Sequence, residues 1–126
     1  MSVLSDTERL LLDSIRELES VIGDHPLEPE SVSLISLDLG ISYEEQTRII
    51  CGLTALEQSE DLMKIYNEGN IYDYLRTQLL IWTTGVKNCD DIVIYSFIRA
   101  VAKRYIPELY LLSEYMKSDF EIVNAN

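Results

Sequence analysis

Apolar residues recur at three- and four-residue steps along nearly the whole chain, the spacing that lines one face of an α-helix. Ser5 and Glu8 are spaced as a capping box, in which hydroxyl and carboxylate each satisfy a free backbone N–H. Behind them Leu11, Ile15, Leu18 and Ile22 form an apolar stripe that ends at Gly23. Gly23 to Glu28, with His25 and Pro26, reads as a loop. Pro29 is placed as a first-turn helix proline, where its missing N–H costs nothing. A short helix then carries Val32, Ile35 and Leu39 and stops at Gly40.

Ser42 and Glu45 make a second capping box, opening a helix through Arg48, Ile49 and Ile50 that Gly52 is expected to close. Thr54 and Glu57 repeat the spacing and predict a further helix through Leu62, Ile65 and Tyr66 to Gly69. From Ile71 the stripe is Tyr74, Leu75, Leu79 and Trp82, closing at Gly85. Asp90 or Asp91 is expected to cap the next helix, with Ile94, Phe97, Ile98, Val101 and Tyr105 on one side. Strand propensity competes only over Ile92 to Tyr95, and the helical stripe continuing to Tyr105 decides against it. Pro107 interrupts this helix and restarts a last one through Leu109, Leu112, Tyr115 and Met116. The expectation is an all-α bundle of six or seven helices in one domain, core at about 5–118, with Asp119 to Asn126 frayed.

Composition narrows the function classes. The 126 residues are 47% apolar, ordinary for a folded domain and too high for disorder. Twenty-two acids against ten bases give a net charge of −12, which disfavours nucleic acid and anionic membranes and favours basic protein partners or solubility alone. The distribution is uneven: up to Glu45 only Arg9 and Arg16 oppose eleven acids, whereas Arg99, Lys103 and Arg104 cluster late. Opposite patches on different faces allow pairing with copies or relatives. Eight tyrosines, among them Tyr95, Tyr105, Tyr110 and Tyr115 in the last two helices, suit either an interface or the rim of a small core.

No catalytic constellation is evident, and the chain reads as non-enzymatic with no cofactor. His25 is the only imidazole and reads as a surface loop histidine; with no companion ligands it predicts no metal site. Glu44–Glu45 and Asp90–Asp91 sit where acids favour helix starts. Cys51 and Cys89 form no CxxC pair and lack a partner base. Met-Ser-Val-Leu-Ser-Asp has no basic n-region or long apolar stretch, so neither signal peptide nor membrane span is expected, and unpaired cysteines fit a cytoplasmic location.

The order of these elements resembles death domains. Val32 to Ile49, with Leu-Asp-Leu-Gly-Ile-Ser followed by two acids, is similar to the second and third helices of that family. Tyr74-Leu75, Leu79-Leu80, Trp82 and Gly85 resemble its fourth helix, Phe97-Ile-Arg-Ala-Val101 its fifth and Leu109-Tyr-Leu-Leu112 its sixth. The likeness spans roughly residues 5–116 and consists of apolar spacing plus Trp82. It departs at Val32, where the family has an aromatic, at Ser36, where it has alanine, and in an extra helix between Ile50 and Asn70. It implies a death-fold Greek key and a signalling adaptor of apoptosis or innate immunity that recruits another helical death-fold domain, or its own copies, through charged faces. By position the acidic face would be Asp38, Glu44 and Glu45 with Arg48 beside them, and the basic one Arg99, Lys103 and Arg104. The competing class is a small acidic inhibitor or immunity protein that neutralises a basic toxin or nuclease. A thiol enzyme using Cys51 or Cys89 is a third.

Overall fold

The computed structural model describes residues 5–22, 27–29 and 31–124, without the side chains of 19–22 and 122–124. These residues form α1 (Asp6–Ile22), α2 (Val32–Leu39), α3 (Tyr43–Ser59), α4 (Leu62–Asn67), α5 (Ile71–Trp82), α6 (Asp91–Arg104) and α7 (Tyr110–Asn124), with a 3-10 turn at Pro107–Leu109. No strand occurs among them, and the fold is a compact all-α bundle, as the periodicity predicts. Gly23, His25 and Pro26 lie outside the described residues.

Helix α6 is the axis of the bundle. Every residue from Ile94 to Ala102 is buried, so this helix is covered all round rather than along one stripe. Helices α2, α5 and α7 and the 3-10 turn pack against it. Helix α3 lies on α2 and α5, and α4 bridges α5 and α7. Ile49, Leu53, Leu75, Leu79, Ile94, Ile98 and Met116 fill the space between. The buried Ser36 hydroxyl donates to Gln46 Oε1 at 2.7 Å, tying α2 to α3 inside this apolar contact.

Several helix boundaries differ from the sequence expectation, each for a local reason. Ser31, not Pro29, starts α2: its hydroxyl accepts from Leu34 N at 3.1 Å, and Pro29 is buried just ahead of the helix. Gly40 ends α2 as expected, in the left-handed conformation at φ 73°. Gly52 does not end α3. The helix runs through it to Ser59, and a Cβ at position 52 would overlap the indole of Trp82, so glycine is there for close approach. Thr54 starts nothing; its hydroxyl donates back to Ile50 O at 2.8 Å. The break comes at Glu60, and Asp61 caps α4 by accepting from Lys64 N at 3.1 Å. Helix α5 closes at Thr83, ahead of Gly85. Neither Asp90 nor Asp91 caps α6 through its side chain: Asp90 holds the cap position without such a bond, and Asp91 is 2.6 Å from Arg76. Tyr105, assigned to the α6 stripe, lies just past the helix end and is exposed.

Two further features concern the first and last described helices. Helix α7 continues to Asn124 where fraying from Asp119 is expected, because Phe120 packs on Tyr72 and Tyr95 and Asp119 binds two tyrosine hydroxyls. At the other end α1 forms, capping box included, with Ser5 N donating to Glu8 at 3.3 Å and Glu8 N to Ser5 Oγ at 3.1 Å. Its described side chains contribute nothing to the core cluster. Among the described residues no helix is long and apolar enough to cross a membrane.

Candidate interaction surface

The acids assigned to α2 and α3 lie close together, though their roles differ. Asp38 reaches Arg16 of α1 at 2.6 Å, with both side chains about half exposed. Glu44 is exposed and 3.9 Å from Arg48 one turn on, a weak pair. Glu45 is engaged in folding: its Oε1 accepts from Ser42 N at 2.9 Å, and that backbone hydrogen bond, aided by the Thr83 and Ser42 hydroxyls, holds the carboxyl below its usual range.

The three cations do not form one outward patch. Arg99 is only 2% exposed, turned inward from α6. Its guanidinium donates to Ser113 Oγ at 2.9 Å, Glu114 Oε1 at 3.0 Å and Glu28 Oε1 at 3.1 Å, and lies 4.4 Å over the Tyr110 ring. Arg99 Nε is buried with no hydrogen-bond partner among the described residues. Lys103 donates to Glu28 Oε2 at 2.6 Å, and Lys117 to Glu28 Oε1. Burial pushes the Glu28 carboxyl up, but bonds from Lys103, Lys117 and Arg99 outweigh it and pull it down to about 2. The Tyr95 hydroxyl donates to Leu27 O beside it. Arg99 and Lys103 thus fasten residues 27–29 onto α6 and α7, and Arg104 alone of the three is exposed, at the end of α6.

The tyrosines divide: Tyr43, Tyr105, Tyr110 and Tyr115 are exposed, while Tyr66, Tyr72 and Tyr95 join the packing. Tyr66 and Tyr72 hydroxyls approach the two oxygens of Asp119 at 2.9 and 2.7 Å. Burial and then that carboxylate raise both phenols above their ordinary range. Tyr115 packs on Tyr66 with ring centroids 5.9 Å apart, and burial lifts Tyr95 to about 12. Tyr95 lies within the core, while Tyr66 and Tyr72 pack at its edge.

What sequence reasoning missed is the outer face of α1. Leu10 is 67% exposed, Leu11 60%, Leu18 64% and Ile15 46%. At about 100° per residue these four span an arc roughly 140° wide, which the small polar side chains of Thr7 and Ser14 share. Glu8 borders it on one edge and Glu17 on the other, with Arg9 and Arg16 on the opposite side. Arg16 is the residue that meets Asp38, and Leu12, on the flank nearest Arg16, is the partly buried leucine. The helix therefore meets the bundle through its polar back and holds its apolar stripe away. Fully burying a leucine or isoleucine contributes about 1.5–3 kcal/mol, so covering four that are half to two-thirds exposed would contribute on the order of 5 kcal/mol. No sequence signal marks this, because an amphipathic helix reads alike whether its stripe meets its own core or another protein.

A cleft of about 170 Å³ opens between α3, α4 and the 3-10 turn, with Glu57, Glu60, Asp61 and Glu108 around a floor that includes Met63 and Leu112. No group of three or more His, Cys, Asp or Glu residues is placed to hold a metal ion among the described residues. Cys51 is exposed; Cys89 is partly buried, and burial raises its thiol, the reverse of what activates a nucleophile. No family model, curated protein or solved structure matches this chain.

Proposed function

We propose that the protein is an interaction module of the adaptor class, acting in the cytosol by binding another protein rather than by catalysis. One observation carries this reading: α1 displays Leu10, Leu11, Ile15 and Leu18 to solvent while the bundle closes its core without them. Contiguous apolar surface of this kind, rimmed by charge, is what a partner covers. The Arg16–Asp38 pair holds α1 against α2 by the back of the helix, which leaves the apolar stripe, bordered by Glu8 and Glu17, turned outward. This agrees with the signalling role that the death-domain likeness implies. It replaces pairing of the protein's own acidic and basic faces with an apolar anchor, since Arg99 and Lys103 are occupied by Glu28.

A second reading, the acidic inhibitor of a basic protein, is favoured by the cleft that Glu57, Glu60, Asp61 and Glu108 surround. Affinity capture from cells, quantified against Leu11→Ser/Leu18→Ser and Glu60→Lys/Glu108→Lys, separates the two. Partners lost only with the α1 variant support the adaptor reading. Partners lost only with the cleft variant support the inhibitor.

A further inference from the structure

We infer that the exposed face of α1 receives an amphipathic helix bordered by lysine or arginine; this rests on the reading above that α1 meets a partner protein. The order of charges around the helix selects this partner. Leu10, Leu11, Ile15 and Leu18 lie between Glu8 on one edge and Glu17 on the other, while Arg9 and Arg16 occupy the back. Arg16 is moreover engaged by Asp38 at 2.6 Å, so no cation of α1 offsets the acids that frame the apolar stripe.

Any helix laid along the stripe brings its own border residues against Glu8 and Glu17. A second copy of α1 would bring acids against acids on both edges, in a molecule that already carries −12. An anionic bilayer is disfavoured by the same charges, because helices that lie in membrane interfaces carry lysine and arginine beside the apolar face. A helix with apolar residues at three- and four-residue steps and basic residues beside them satisfies both the leucines and the acids, and the cations also steer its approach. The fit gains from α1 itself. A helix of this length draws most of its stability from packing an apolar face, and the bundle leaves that face bare.

The test uses two fluorescein-labelled peptides of one design, leucine and isoleucine at three- and four-residue steps, with lysine at the stripe borders in one and glutamate in the other. Binding to the full chain is read by anisotropy at low and at physiological salt. The lysine peptide is expected to bind at least about tenfold more tightly than the glutamate peptide and to weaken with salt. Leu11→Ser/Leu18→Ser is expected to abolish binding, and Glu8→Gln/Glu17→Lys to bring the two peptides within about threefold of each other. Glutamine at position 8 keeps the capping box, and circular dichroism confirms that each variant folds. Equal affinity for the two peptides, or binding of neither, overturns the inference. Sedimentation showing a dimer that Leu11→Ser/Leu18→Ser dissolves would make a second copy the occupant, which overturns the basic helix but leaves α1 as the interaction face. Cellular partners that are indifferent to the α1 variant would overturn the parent reading instead.

Discussion

Glu28 and Lys103 meet at 2.6 Å across 75 residues of chain, and this contact anchors the segment between α1 and α2 to the central helix. The same carboxylate takes Arg99 and Lys117, so its removal would leave a buried guanidinium short of one partner. Glu28→Gln is therefore expected to destabilise the fold at neutral pH by about 1–2 kcal/mol, discounting for a side chain that is over a third exposed. The pH dependence has a definite sign. The folded carboxyl titrates near 2, below its ordinary 4.5, so the stabilisation is complete above 4.5 and disappears as pH falls from there through 2. Urea unfolding of wild type and variant across that range should show the difference shrinking toward zero; a constant difference would mean the charge is not what holds the segment.

Trp82 and Gly52 supply a second test, because two effects of known size oppose each other at one position. Alanine in place of glycine inside a helix is ordinarily worth close to 1 kcal/mol of stabilisation. Here the added methyl would overlap the indole, and overpacking typically costs about 1–3 kcal/mol. The overlap involves several ring atoms, so the steric cost dominates and Gly52→Ala is expected to lower the melting temperature. In a Trp82→Leu background, where the ring is gone, the same change should be neutral or stabilising. An additive double-mutant cycle would show that the two residues do not touch in solution.

Helix identity was legible in the sequence because it depends on spacing and caps, which are local. The Ser5–Glu8 and Ser42–Glu45 boxes form as read, and Ile94 to Ala102 is helical despite its β-branched start. What spacing could not convey is which surface meets which. Gly52 reads as a stop until Trp82, thirty residues on, is seen to lie against it. Arg99 reads as part of a basic patch because nothing local reveals Glu28, Ser113 and Glu114 converging on it. The acids of the expected partner face divide for the same reason: Glu44 stays outward while Glu45 completes a cap.

Asp119 tests whether the end of the chain is structural. Its two oxygens receive Tyr66 and Tyr72, from α4 and α5, and the next residue, Phe120, lies against Tyr72 and Tyr95 with centroids 5.8 and 5.5 Å away. Truncation after Ser118 is expected to cost about 2–4 kcal/mol, mainly through lost apolar packing, since the Tyr66 and Tyr72 hydroxyls keep the Tyr115 and Met116 carbonyls as acceptors. Asp119→Asn, which keeps the shape and removes the charge, should cost about 1 kcal/mol. It should also lower the pKa of Tyr72, since the carboxylate adds to burial in raising it. Ultraviolet titration of the phenols in the Asp119→Asn protein measures this directly. An unmoved tyrosine titration would show that Asp119 does not contact the ring hydroxyls.

The sharpest contrast lies between leucines that look alike along the chain. Leu53 is completely buried in α3, and Leu53→Ala should cost the 2–5 kcal/mol typical of a core truncation. Leu11 and Leu18 occupy an equally regular stripe but face water, so replacing both with serine removes no core contact. Serine lowers helix propensity by only a few tenths of a kcal/mol per site, and the exchange also removes exposed apolar surface. Leu11→Ser/Leu18→Ser is therefore expected to change global stability by less than about 1 kcal/mol while increasing solubility. Denaturant unfolding monitored by Trp82 fluorescence reads the bundle, which α1 does not enter, and gives the comparison directly. A loss of several kcal/mol in the double variant would mean that the stripe is buried by the protein's own body in solution, and α1 would cease to be a surface offered to a partner.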